Sequence, residues 1–502
     1  MTNEKNQIPQ NWIRTSIEHV SEIIRGISFP KNARVQSPRD GYIACLRTKN
    51  VQDEVDWSSL WFIPKKLAKN QEKIVRKGDI LISNSNSLKL VGKVAQVRKL
   101  EHPATLGAFI SLIRVNEKIN KSFIYYQLCS YEMQSNFKKI ASTTTNISNI
   151  STSKIKKSPI YLAPFNEQNL IVFKIEELLT KLDAGVNSLQ KVKAQWQQYR
   201  QAVLKYAFSG ELTEEWRRTH KDMIIPASTL LERIKTERNN NSSRTKSEKL
   251  LPIDSSTLPI IPEKWTWVRT ADICKGIVPG RDKPKDFKGD IPWITLPDVD
   301  ELYISRSKKN LGLTKEDAEK VGMKVMPKGT VLMSCVGRFG IICIAGCPVV
   351  PNQQFHGFIC SDNIRPEYVA FSLMAQIKQM KELSSATTIA YLNKTKCNSI
   401  TLPLAPIAEQ HRIVEEIEQR FSTADEIEKT ALNCIKQSER LRESILKIAF
   451  EGKLVAQDFL DEPAEKLLER IKKEKKERNS QQKTTKRKKS KTKQRRLDGY
   501  VE

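Results

Sequence analysis

The chain writes one long passage twice. Residues 142–212 align without a gap onto residues 384–454, at a constant offset of 242. APFNEQNLIVFKIEELLTKLDA, 163–184, is answered by APIAEQHRIVEEIEQRFSTADE, 405–426. Identities include Thr145/Thr387, Pro164/Pro406, Glu167/Glu409, Gln168/Gln410, Asp183/Asp425, Arg200/Arg442, Phe208/Phe450 and Gly210/Gly452. A gapless match of this length is what a helix demands, since one inserted residue would rotate everything after it by about 100°. With 502 residues, the chain is expected to fold as two related halves rather than around one core.

Each copy carries the marks of one long helix. Pro164 or Pro406 stands near the first helical position, where a missing N–H costs nothing. Glu167 or Glu409 follows in the first turn, favoured by the helix dipole. Gly210 or Gly452 suits a left-handed C-cap. About 44 residues lie between, roughly 66 Å of helix.

The apolar residues recur in steps of three and four. The first copy gives Ile171, Ile175, Leu178, Leu182, Val186, Leu189, Val192, Trp196, Tyr199 and Val203. The second gives Ile413, Ile417, Phe421, Ala424, Ile427, Ala431, Cys434, Leu441 and Ile445. That spacing predicts a coiled-coil seam in which the copies pair with each other. The alternative is two separate amphipathic helices, each covering its own domain. A helix this long cannot bury its whole stripe on a domain of about 150 residues. Antiparallel pairing is the simplest arrangement, placing a domain at each end of a rod and relating the domains by an approximate two-fold axis.

The upstream segments echo each other more weakly. Pro9-x-x-Trp12 corresponds to Pro262-x-x-Trp265, and VRKGDILIS, 75–83, to VMPKGTVLMS, 325–334. LLERIK at 230–235 recurs at 467–472. The expected division is a variable domain over 1–160, a long helix over 161–212, and a short helix with a polar linker over 213–257. A second variable domain follows over 258–402, a second long helix over 403–456, and a short helix with a basic disordered tail over 457–502.

The net charge is +28, of which residues 472–496 carry +12 and the rest of the chain +16. That surplus points to a polyanionic partner, nucleic acid before an anionic membrane. The polar start, MTNEKNQIPQNW, does not resemble a signal peptide. VLMSCVGRFGIICIAGCPVV, 331–350, is interrupted by Arg338, glycines and Pro348, and predicts two buried strands joined by a turn rather than a membrane span. The nine scattered cysteines read as reduced, buried thiols of a cytoplasmic protein, and the five isolated histidines offer no zinc site.

The paired P-x-x-E-Q helix starts resemble the specificity (S) subunit of type I restriction-modification systems. So do YRQAVLKYAFSGELT, SERLRESILKIAFEGKL, ATTIAYLNKTK and GTVLMSCVGRFGIICIAGCPVVPNQQFHGF. The resemblance runs to about residue 461. It implies an α+β fold of two target recognition domains separated by two long antiparallel coiled-coil helices, with an internal pseudo-two-fold repeat. Each domain would bind one half of a bipartite site in double-stranded DNA. The helices would dock two modification (methyltransferase) subunits, through residues such as Glu167, Gln168, Arg200, Phe208, Glu409, Gln410, Arg442 and Phe450. Restriction (endonuclease/translocase) subunits would complete the complex in a bacterial or archaeal cytoplasm. No cofactor or metal is expected in this chain. The resemblance implies that S-adenosylmethionine, ATP and Mg would belong to the partner subunits. The sequence contains no G-x-G-x-x-G, P-loop or H-E-x-x-H, in keeping with a non-catalytic reader. The competing readings are a stand-alone DNA nuclease with an unrecognised motif and a basic coiled-coil scaffold.

Base reading needs Arg, Lys, Asn or Gln at base edges, supported by phosphate contacts. STTTNISNISTSK, 142–154, offers Thr143, Thr144, Thr145 and Asn146; its counterpart offers Thr387, Thr388, Asn393 and Lys394. These loops could grip phosphate or serve as caps and hinges. Asn352, Gln353 and Gln354 could pair with adenine or satisfy buried backbone groups; the first domain has PATLGAF, 103–109, at the matching place. Arg34, Arg39, Arg281, Lys283, Lys285, Arg306 and Arg338 are the basic candidates, each weighed against an exposed solvating charge.

Overall fold

The computed structural model describes residues 8–144, 146–241, 253–280, 284, 286–384, 390–478 and 480. The chain forms two compact units: Met1–Ser188 with Asn433–Glu502, and Leu189–Leu432. The long helices Phe165–Ser209 and Ile407–Phe450 each contribute to both units. The end of each helix therefore belongs with the domain that its own start does not follow.

In the first unit, strands Ser21–Arg25, Ile110–Val115, Ile80–Ser83 and Val94–Gln96 form an antiparallel sheet in that order. A second sheet places Tyr42–Leu46 between Trp61–Pro64, antiparallel, and Ala104–Leu106, parallel. All four residues of Ile80–Ser83 are buried. Strand alternation explains how: Ile80 and Ile82 pack into one cluster with the helices, and Leu81 into another beneath the second sheet.

The second unit repeats the plan. Val331–Ser334 lies between Phe355–Cys360 and Ile342–Ala345 in a five-stranded sheet. Val331 and Met333 face one cluster and Leu332 the other. Residues 331–350 thus begin as two buried antiparallel strands, as their interrupted apolar run suggests. Ile291–Ile294 pairs with Gly312–Leu313, antiparallel, and with Val350–Pro351, parallel. All nine cysteines are free; Cys434 is exposed, against the expectation that every thiol is buried.

Within the second unit the long helices run antiparallel. Arg200 pairs with Asp425 and stacks over Phe421, while Lys193 lies 3.6 Å from Glu428. In the first unit the equivalent pair is Arg442 with Asp183. The offset of 242 turns one pair into the other, with the helices exchanged. The seam differs in detail from the apolar stripe. Cys434 and Leu441 are exposed, Leu441 by 53%. The inward face instead follows Ala431, Ile435, Ser438, Arg442 and Ile445. Those steps of four and three keep a heptad, but they carry a hydroxyl and a paired guanidinium that an apolar count passes over.

A matched junction closes each unit. Pro9-x-x-Trp12 folds as a turn, with the Trp12 N–H donating to the Pro9 carbonyl at 3.0 Å. The Trp12 indole N–H donates to the Glu167 carboxylate at 2.9 Å. Gly452, at φ +71°, ends the other helix so close that a Cβ would stand 2.1 Å from Pro9 Cγ. In the second unit Trp265 donates to Glu409 at 2.8 Å, and Gly210, at φ +84°, packs against Pro262. The left-handed C-caps are where the sequence puts them, and they double as close-packing sites.

These contacts correct the reading of Glu167, Gln168, Glu409 and Gln410 as docking residues. All four are buried. Gln168 and Gln410 donate to the carbonyls of Ala163 and Ala405, each at 2.8 Å. Phe208 and Phe450 are buried too, edge-on to Tyr368 and Phe123. Buried carboxylates and amides must find partners, and here they find them inside the unit.

Candidate nucleic-acid interface

Each unit has a cleft beside its parallel strand pair. In the first unit Cys45 stands opposite Trp61 in the antiparallel ladder. Arg47, two residues on, leaves on the face that Cys45 and Trp61 share. A bridge between Val35 and Phe62, with backbone hydrogen bonds of 3.0 and 2.9 Å, brings Arg34 alongside. The Arg34 and Arg47 guanidinium carbons then lie 4.0 and 4.1 Å from the centroid of the Trp61 ring. Cation–π attraction holds both on the indole.

The cleft measures about 560 Å³ and adds Gln36, Lys49, Ser58 and Ser59 to its lining. Arg47 Nη2 donates to the carbonyl and hydroxyl of Ser59, both at 3.3 Å, while its buried Nε has no partner among the described residues. Among the described residues neither Arg34 nor Arg47 forms an ion pair. The acid beside the lining is Asp56, whose carboxylate accepts from the N–H and the hydroxyl of Ser58 at 2.8 and 2.6 Å and feels the Lys49 charge rather than pairing with either arginine. Burial, and then the Arg34 charge, lower the basicity of Arg47. Two guanidiniums without a counter-ion make a site for hydrogen-bond acceptors or an anion.

The second unit has its cleft at the matching place. Thr295 follows Ile294 as Arg47 follows Leu46, and the backbone N–H groups of Thr295 and Arg47 donate to Asp298 at 2.8 Å and Asn50 at 3.0 Å. The N–H of Asn352 donates to the Ile294 carbonyl at 2.8 Å, as Gly107 does to Leu46. The Gln354 carbonyl accepts from Cys335 N–H, as Phe109 accepts from Asn84. The lining of this 420 Å³ cleft includes Trp293, Thr295, Lys309, Leu311 and the run Asn352, Gln353, Gln354. Asn352 Nδ2 donates to Gln354 Oε1 at 3.0 Å, and Gln353 is exposed. The Asp298 carboxyl is held below the usual range by hydrogen bonds from Thr295, Lys308 and Ser307, which outweigh its desolvation.

The other sequence candidates are dispersed. Thr143 and Thr144 are exposed on a turn closed by Thr143–Ser148 and Thr144–Ile147 hydrogen bonds, with Asn146 exposed at its tip. Asn393 caps a short helix by accepting from Lys396 N–H at 2.9 Å, and Lys394 beside it is exposed. Arg39 lies over Tyr42, while Arg306 and Arg338 are exposed. Thr145, Arg281, Lys283, Lys285, Thr387 and Thr388 lie outside the described residues, as do most of the polar linker and the last part of the basic tail. Arg47, Lys49 and Trp61 escaped the sequence reading. A basic and an aromatic residue fourteen apart give no local signal; only the strand register joins them.

Among the described residues no group of three or more His, Cys, Asp or Glu is placed to hold a metal ion. Among them, too, no helix is long and apolar enough to cross a membrane.

A family model described as Type I restriction modification DNA specificity domain matches residues 9–194 and 262–437. The type I restriction enzyme EcoKI specificity subunit of Escherichia coli (strain K12) is 26% identical over 483 residues, spanning 93% of this chain and 96% of that protein. The StySPI specificity subunit of Salmonella potsdam is 26% identical over 494 residues, spanning 94% and 97%. A solved chain, from work on complex assembly and conformational transition of the type I R-M system, has a TM-score of 0.58 at 15% identity and spans 89% of this chain and 99% of its own. That likeness supports the α+β fold with its repeated halves.

Proposed function

This chain belongs to the type I restriction-modification DNA specificity family, and on that footing we propose that each unit reads one half of a bipartite DNA site. The observation carrying this reading is the pair of clefts at matching places in the two units, one lined by guanidiniums and the other by amides. Two related units that differ at a matched cleft suit a site with two different halves. The long helices, at 1.5 Å rise per residue, would fix the gap between the halves and dock two modification subunits.

The docking residues must be exposed ones. Glu167, Gln168, Phe208, Glu409, Gln410 and Phe450 are used inside their units, whereas Leu170 and Phe173 leave 53% and 68% of their surface free on the first helix. Arg200 and Arg442 serve the helix pairing first. Adenine methylation, ATP-driven translocation and cleavage would belong to partner subunits that hold S-adenosylmethionine, ATP and Mg. This chain would act without catalysis, in the cytoplasm of a bacterium or archaeon. The family membership speaks for a reader over a stand-alone nuclease or a scaffold.

Co-expression with a candidate adenine-methyltransferase subunit, followed by genome-wide mapping of methylated adenines, tests this. A bipartite motif that needs both proteins is the expected result. Assembly without sequence-limited methylation, or DNA cleavage by the pure chain with a divalent metal, would contradict it.

A further inference from the structure

The matched clefts differ in a way that names what the first one reads. This step rests on the half-site reading above. We infer that the cleft formed by Arg34, Arg47 and Trp61 binds the acceptor edge of a guanine in the half-site of the first unit.

The donor inventory decides the base. Guanidinium groups only donate, and here they line the cleft with no carboxylate paired to them among the described residues. Guanine presents two acceptors in the major groove, N7 and O6. Adenine presents an acceptor beside an amino donor, and that donor would oppose a donor. The indole is occupied by both guanidiniums, so it positions them rather than stacking a base.

A structural role for Arg47 would be served best by an acid at the helical turn that follows it. The second unit has one at that place, Asp298, which accepts from the backbone N–H groups of Thr295 and Lys308. The first unit has the neutral Asn50, which accepts from Arg47 N–H and donates to the Asp56 carbonyl at 2.7 Å. The turn is kept without the acid; the nearby Asp56 carboxylate is bonded to Ser58, and Arg34, Arg47 and Lys49 leave the cleft with an excess of positive charge.

A DNA phosphate offers acceptors too. Every phosphate is alike, however, and a phosphate clamp has no reason to change chemistry between equivalent places. The matched position changes from Arg47 to Thr295 and the indole from Trp61 to Leu311, while the amides Asn352, Gln353 and Gln354 line the second cleft. A difference of that kind is what reading two different bases requires.

The test is selection of bound sequences from a randomised duplex pool by the full chain, at two salt concentrations. Wild type is compared with Arg47→Gln and Arg47→Lys, folding being checked by circular dichroism. Lysine keeps the charge and the packing stem but loses the planar fork. Both variants should lose about tenfold or more of the guanine preference at one position. The other half-site should stay unchanged, and Arg47→Lys should keep the salt dependence. An unchanged motif would overturn the inference. So would uniformly weaker binding by Arg47→Gln with a salt slope reduced by about one, the mark of a phosphate contact. A wild-type chain that selects no bipartite motif would instead contradict the half-site reading itself.

Discussion

Trp12 donates its indole N–H to Glu167, and Trp265 donates its own to Glu409, at 2.9 and 2.8 Å. The two junctions share geometry but not charge. Glu409 also meets Arg217 at 2.5 Å and the Thr213 hydroxyl at 2.8 Å. Glu167 meets the Gln457 amide instead and, among the described residues, no cation. The pairing of each tryptophan with a distant glutamate ties the start of a domain to the start of the helix that ends it.

That difference predicts opposite answers to one substitution. Glu409→Gln leaves Arg217 largely buried without a countercharge and should cost about 1–3 kcal/mol. Glu167→Gln keeps an acceptor for Trp12 and removes a charge that burial disfavours. Burial raises the Glu167 carboxyl above its ordinary 4.5, against the hydrogen bonds from Trp12 and Gln457. Its contribution is therefore complete below about pH 4.5 and is lost as pH rises through the raised value. Denaturant unfolding at neutral pH should find Glu167→Gln within about 1 kcal/mol of wild type or above it. A large loss there would show that the ionised carboxylate is needed.

Gly452 gives a steric prediction. Its φ of +71° and the 2.1 Å approach of a built Cβ to Pro9 Cγ both oppose a side chain. Gly452→Ala should destabilise by about 2 kcal/mol or more. Adding Pro9→Ala should recover the steric part and leave the backbone part, about 1 kcal/mol. Equal losses in the single and double variants would mean that the contact with Pro9 is not what matters.

The helix seam can be tested by charge reversal. Arg442→Asp sets like charges at the Asp183 contact, and Asp183→Arg does the same from the other side. Each single change should cost up to about 1 kcal/mol, because the pair is partly exposed. The double reversal should restore most of it. Additive losses in a double-mutant cycle would contradict the antiparallel register.

His356 sets an acid limit for the second unit. Burial lowers its pKa from 6.5 to about 4. Between those values the unfolded chain binds a proton that the folded chain refuses. Its stability contribution is thus full above pH 6.5 and is lost as pH falls toward 4. The thermal midpoint of wild type should drop through that window more steeply than that of His356→Leu. Parallel profiles would remove His356 as the cause.

The long helices were legible because the signal is local and repeated: a proline start, an acidic first turn, a glycine end. The junction motifs were legible as motifs but not as neighbours. Gly452 and Pro9 lie at opposite ends of the sequence, and nothing local says that they touch. The seam was legible in period but not in every residue, since Ser438 and Arg442 occupy inward positions that an apolar count gives to Cys434 and Leu441. The cleft of the first unit was half visible. Arg34 stood out as a basic residue, whereas Arg47 and Trp61 acquire meaning only through strand register. Repetition marks Glu167 and Glu409 without saying which way they face, and burial turns both inward.

If each unit reads its half of the site independently, exchanging one recognition domain must rewrite one half alone. The most direct measurement replaces residues 9–160 with a second copy of residues 262–402, co-expresses the chimera with the modification subunit and maps the methylated adenines. The two-part site should become an inverted repeat of the half read by the second unit. Retention of the original site by a folded, assembled chimera would contradict it.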